Sequence, residues 1–161
     1  MMSQANPYEK YLDGRPIVTI LASTASALAA ALAAIGSDRH SAPIAPGKWS
    51  PAKILSHLAD CDLAFGWRLR QIVAEDLPEL QPFDQDKWAA AYEGISASSA
   101  LEAFKAIRAW NLQFIQQALP AAAERAGTHP ERGRITFQTT IEIMAGHDLN
   151  HVGQLTKLVG E

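Results

Sequence analysis

The sequence contains one cysteine, Cys61, in 161 residues. A lone thiol excludes an intramolecular disulfide framework and a cysteine-rich zinc site, and it fits a reducing compartment. Any transition metal must then rest on histidine and carboxylate side chains. Valine is also scarce, with four residues against 29 alanines and 16 leucines. Alanine and leucine lead the helix-propensity order, whereas strands draw on valine, threonine and aromatics, so the composition points to an all-α protein. Charge is sparse, with 14 basic and 17 acidic residues and a net charge of −3. No nucleic acid and no membrane is expected as a partner, because both require clustered lysine and arginine, and here the basic residues are scattered. The length suits a single domain over residues 1–161 with a full core.

Charge vanishes between Pro16 and Gly36. A run of about 20 uncharged residues has the length of a membrane span, and Lys10 and Arg15 ahead of it resemble the start of a secretory signal. Its makeup argues against both readings. The large apolar side chains Ile17, Ile20, Leu21, Leu28, Leu32 and Ile35 fall on one helical stripe, with Thr19, Ser23, Thr24 and Ser26 among them. Glu9 and Asp13 interrupt the basic region, and cleavage would strip the later helices of a partner. The expectation is a bundle helix in a cytoplasmic protein.

Residues 1–12 read as a polar N-terminal arm. The first helix runs from Pro16, whose fixed φ suits a first turn, to Gly36. The second opens at Ser50 as N-cap with Pro51 at the first helical position. Its stripe is Ile54, Leu58, Cys61, Phe65, Leu69 and Ile72, and it stops before Pro78. Residues 76–95 form a long crossover, with a helical turn expected around Trp88 to Tyr92; loops of this length tend to be functional. The third helix starts near Ser98 or Ser99 and ends at Pro120. Residues 121–134, with Gly127, Pro130 and Gly133, read as a loop. The fourth helix opens at Thr136 and carries Phe137, Ile141, Met144, His147, His151, Leu155 and Leu158 on one face. The architecture expected is a four-helix bundle with a long crossover between helices 2 and 3. Trp67 and Trp110 are expected to pack at the bundle rim.

His147 and His151 are four residues apart and so share a helix face, here the apolar one. His57 sits on the apolar face of the second helix. Three imidazoles in an apolar core need polar partners that leucine and alanine cannot supply, and a His₃ set on one divalent metal leaves positions open for water or substrate. His40 and His129 fall in loops and receive no role.

The neighbours leave alternatives open. Asp60 is either the acceptor of the second His57 ring N–H or an exposed surface acid. Asp148 follows His147 as the glutamate follows the first histidine in the HExxH motif, but it is one methylene shorter and no third distal ligand follows it. Cys61 is a fourth ligand, a thiol nucleophile, or a small buried filler. Asp84, Asp86 and Trp88 either cover the open face of the site or pack and solubilise the crossover.

Taken in order, Trp49-Ser50-Pro51, His57-Leu58-Ala59-Asp60, Phe83-Asp84-Gln85-Asp86 with Trp88, and His147-Asp148-Leu149-Asn150-His151 with Gln154 resemble the DinB-like, or YfiT-like, superfamily of metalloenzymes over almost the whole chain. The resemblance implies a divalent metal, nickel or zinc, on His57, His147 and His151, and a homodimer. It also implies a reaction class, since relatives include S-transferases that use bacillithiol or mycothiol. The leading expectation is a metal-dependent transferase acting on a small-molecule substrate with a low-molecular-weight thiol. The alternatives are a metal-dependent hydrolase, with Asp148 or Asp84 as proton acceptor, and a non-catalytic metal-binding or metal-sensing bundle.

Overall fold

A computed structural model describes residues 6–160; residues 1–5 of the N-terminal arm lie outside them. Its long helices are α1 (Ile17–Ile35), α2 (Pro51–Ala74), α4 (Ala97–Ala118) and α5 (Phe137–Lys157), with a short α3 (Gln85–Ala89) in the crossover. The caps explain most boundaries. The Ser50 hydroxyl accepts the Lys53 N–H, Thr136 accepts that of Thr139, and Pro16 and Gly36 bracket α1. The third long helix begins slightly earlier than the sequence suggested, because Ser96 takes the cap and accepts the Ser99 N–H at 3.1 Å.

Each long helix packs on two others: α2 on α4 and α5, and α1 on α4 and α5. The chain neighbours α1 and α2 therefore lie diagonally across the bundle, as do α4 and α5. Asp62 pairs with Arg108, and Arg70 with Asn111, so α2 and α4 run parallel. The pairs Thr24 with Asp148 and Arg39 with the Leu158 carbonyl make α1 and α5 parallel as well. Two parallel neighbours cannot be joined by a tight turn. That geometry is why the chain needs its long crossover between α2 and α4.

The loop expected at 121–134 is instead partly a β-hairpin. Strands β1 (Ala126–His129) and β2 (Gly133–Thr136) pair antiparallel, and Gly133 at φ 73° closes the turn in the left-handed region. The crossover joins it: Leu80 donates to the Thr128 carbonyl and Thr128 to the Pro78 carbonyl, both at 2.8 Å. The strands carry too few large apolar residues to announce themselves by alternation. Ile135 is the one large aliphatic side chain that they bury.

The core falls into two apolar clusters. One gathers Leu28, Leu32, Leu55, Leu58, Phe104 and Leu155; the other gathers Ile20, Leu21, Leu69, Ile115, Phe137 and Ile141. Helix α1 contributes to both with its large side chains, and so serves as a core element of the bundle. Between the clusters runs a buried polar belt that includes Thr24, His57, Asp62, Arg108, Asn111, His147, Asp148 and His151. Trp67 and Trp110 do not pack at the rim as expected; both lie about two-thirds exposed, at 66% and 65%.

Candidate metal centre

Helix periodicity places the site. His57 projects from α2 and His147 and His151 from successive turns of α5, and all three are buried. His57 Nε2 lies 2.9 Å from His147 Nε2, and His151 Nε2 lies 3.2 Å from the same atom. Candidate ligand atoms of the three residues all fall within 4.8 Å of one another. Two nitrogens held about 2.1 Å from one ion at 90–110° are themselves ~3.0–3.4 Å apart, so the spacing matches a shared cation. The chemistry agrees. A single hydrogen on His147 Nε2 can bridge only one of its two imidazole neighbours, whereas a cation accepts a lone pair from each.

Protonation favours the same use. Burial pushes the His57 pKa down to about 4, with the His151 imidazole adding to the effect. Burial, and then the two neighbouring imidazoles, hold His147 well below the usual range. Burial also lowers His151, against the opposing pull of its hydrogen bond to Gln154. Neutral imidazoles have lone pairs to offer at pH 7. Gln154 fixes one tautomer: its Oε1 accepts from His151 Nδ1 at 2.9 Å and so leaves Nε2 for the centre. Aromatic rings hold the other two, with Trp49 5.0 Å from His57 and Tyr8 5.1 Å from His147 between centroids.

The carboxylates named from sequence go elsewhere. Asp60 faces the crossover, where it accepts the Tyr92 hydroxyl at 2.6 Å, so it is not the orienting partner of His57. Asp84 caps α3 through the Asp86 and Lys87 N–H groups. Asp148 points into the belt: it accepts Arg108 Nη1 at 2.6 Å and the Thr24 hydroxyl at 2.7 Å, while Arg108 also grips Asp62 at 2.7 Å. One guanidinium thus holds two buried carboxylates, and Asp148 is occupied as an ion-pair partner. Cys61 Sγ stands 3.5 Å from His57 Nε2, but it is buried and lies outside the convergent histidine set. Burial and nearby carboxylates push its thiol far up, away from thiolate.

A cavity of about 280 Å³ opens beside His57 and His147, and the crossover lines it with Leu80, Pro82, Phe83 and Gln85. Trp88 acts one step back by stacking on Phe83 at 4.6 Å. His151 and Asp86 line a second, more open groove of about 560 Å³. Tyr8 and Gln85 line both spaces. His129, without a role in the sequence reading, is buried in the cavity wall; His40 instead bonds the Leu32 carbonyl at the end of α1. Tyr8 was also missed. Its signal is Gly146, where a Cβ would stand 2.6 Å from the Tyr8 carbonyl oxygen, so the arm seats directly on α5.

The sequence model of the DinB superfamily matches residues 20–155. The chain belongs to the DinB superfamily. It is 28% identical over 113 residues to a "Putative metal-dependent hydrolase" of Oceanobacillus iheyensis, a match covering 70% of this chain and 66% of that relative, just under two thirds of its length. A Bacillus mycoides protein of the same name is 22% identical over 132 residues, covering 81% and 76% of the two chains. Among solved structures, YfiT from Bacillus subtilis superposes with a TM-score of 0.82 at 19% identity over 88% of this chain and 83% of that one. YfiT is described as a probable metal-dependent hydrolase with an unusual four-helix bundle topology. The likeness to YfiT agrees with the expected four-helix bundle.

Proposed function

We propose that the protein is a divalent-metal-dependent enzyme in which His57, His147 and His151 hold the ion, with nickel and zinc as the candidate metals. The observation that carries this reading is the convergence of three neutral, buried imidazoles, two of which, His57 and His147, line a small cavity. When bound, a divalent ion supplies Lewis-acid activation of a small nucleophile near neutral pH. The protein's own groups complete the picture. Cys61 is held as an unreactive thiol, and Asp60, Asp84 and Asp148 are each engaged, so the nucleophile comes from outside the chain. Water as that nucleophile makes the protein a hydrolase, the reading its relatives' names support. A low-molecular-weight thiol makes it a transferase, the reading drawn from the sequence resemblance.

The test is turnover by metal-loaded protein of an activated ester, and of an electrophilic aryl halide with and without added cysteine. Turnover that disappears in His57→Ala and His147→Ala supports the enzyme reading. Ester hydrolysis without thiol selects the hydrolase, and thiol-dependent loss of the aryl halide selects the transferase. Equal rates in wild type and both variants would contradict the proposal.

A further inference from the structure

The cavity beside the histidines has a second chemical character. Its polar lining includes Arg68 from α2 and His129, Glu131 and Arg132 from the hairpin. The Arg68 guanidinium lies 5.8 Å from the Phe65 ring and 5.6 Å from the Phe83 ring, and it donates from Nη2 to the Gln81 carbonyl. Its other N–H donors have no acceptor among the described residues. The Arg132 side chain has no hydrogen-bond or ion-pair partner among them, although Glu131 is its neighbour. His129 Nδ1 accepts the Glu131 N–H at 3.2 Å, which places the ring hydrogen on Nε2. Burial, followed by the two guanidinium groups, lowers the His129 pKa and keeps that ring a neutral donor.

Two guanidinium groups with unused donors line this partly closed cavity, and Glu131, the carboxylate in the same wall, forms an ion pair with neither among the described residues, so the lining keeps a net positive charge. Planar forks of N–H donors pair bidentately with carboxylate and phosphoryl oxygens, and gain most where water is scarce. The apolar walls, Phe65, Phe83, Leu80 and Ile135, suit a small organic body attached to that anion. We propose that Arg68, Arg132 and the His129 Nε2–H form an oxyanion-holding subsite, so that the substrate is a small molecule bearing a carboxylate or phosphoryl group. The inference rests on the reading of this cavity as the substrate site, but anion binding itself requires no metal.

The experiment uses the metal-free full-length protein, so that an anion cannot be captured by a bound ion. Inorganic phosphate, propionate and neutral propionamide are titrated calorimetrically at low and high salt. The expected result is binding of at least one anion, roughly tenfold or more tighter than propionamide and weakened by salt. The anion that binds tighter, phosphate or propionate, assigns the group. Arg132→Gln, on a turn side chain without partners, and the Arg68→Gln/Arg132→Gln pair should lose about tenfold or more of that affinity while their metal uptake matches wild type. Anion binding that is absent, equalled by propionamide, or unchanged in both variants would overturn the subsite. Loss of metal binding alone, with anion binding intact, would sink the metal reading and leave the subsite standing.

Discussion

His57 and His147 stand 90 residues apart in the chain and meet at 2.9 Å between their Nε2 atoms. The contact ties α2 to α5 within the buried polar belt between the two apolar clusters. Without a metal it is a strained arrangement for acid conditions, because protonating either ring sets a cation against its neighbours in a buried site.

The first prediction is a pH dependence of metal-free stability. The folded pKa values of the three imidazoles lie below the ordinary 6.5, with His57 at about 4. Below 6.5 the unfolded chain therefore binds more protons than the folded one, and stability falls as pH drops from 6.5 toward 4. Each imidazole that stays neutral contributes a slope of about 1.4 kcal/mol per pH unit. Asp62, raised by burial, acts in the opposite direction, whereas His129, lowered by burial and the nearby guanidinium groups, adds to the effect of the three site imidazoles. Urea unfolding of metal-free protein at pH 7 and pH 5 should show a lower midpoint at pH 5 with the same slope. A higher midpoint at pH 5 would contradict the imidazole assignment.

Arg108 provides the second. It is 2% exposed and bonds both Asp62 and Asp148, so Arg108→Ala leaves two buried carboxylates without a counter-charge. A loss of about 3–5 kcal/mol is expected in urea unfolding. Arg108→Lys should recover only part of it, since an ammonium cannot reproduce the two-sided fork.

Much of this architecture is visible in the sequence because it follows from local chemistry. Ser50 with Pro51 and Thr136 mark helix starts through backbone N–H groups that need acceptors, and the 3.6-residue period places His57, His147 and His151 on buried faces. What the sequence hides is which groups meet across the bundle. Asp60 and Asp148 sit one turn from and next to site histidines, yet Tyr92 and Arg108 claim them from distant elements. Nothing in the spacing of Arg108 within α4 announces a buried guanidinium. The hairpin escapes for another reason: its strands are four residues long, and its glycines and proline look like loop punctuation. The seat of Tyr8 on Gly146 depends on a contact between the arm and the last helix.

That seat yields the third prediction. A Cβ at position 146 would stand 2.6 Å from the Tyr8 carbonyl oxygen and 2.7 Å from its Cβ, so Gly146→Ala should push the arm off α5. A cost of about 1–3 kcal/mol is expected from the overpacking, together with faster proteolytic cleavage near Tyr8. An unchanged cleavage pattern would show that the arm does not depend on this contact.

Cys61 gives the fourth. Its thiol is 4% exposed and its pKa is driven upward, so an aromatic disulfide reagent at neutral pH should modify it only on unfolding. Cys61→Ser should retain the metal content of wild type. Loss of metal in that variant would make the thiolate a ligand.

Gln154 offers the fifth, through the bond that orients His151 at 2.9 Å. Gln154→Ala should weaken metal affinity by about 10–100-fold without abolishing it. Calorimetric titration of the variant with zinc and nickel reads the change directly.

The central claim is that three histidines from two helices form one metal site, and metal stoichiometry tests it most directly. Purified protein is stripped, reconstituted separately with zinc and nickel, freed of excess ion and analysed by plasma mass spectrometry, beside His57→Ala, His147→Ala and His151→Ala of verified helical content. The predicted result is about one ion per wild-type chain for at least one metal and a large loss in every variant. Wild-type protein that retains neither metal, or variants that retain as much as wild type, would contradict the account.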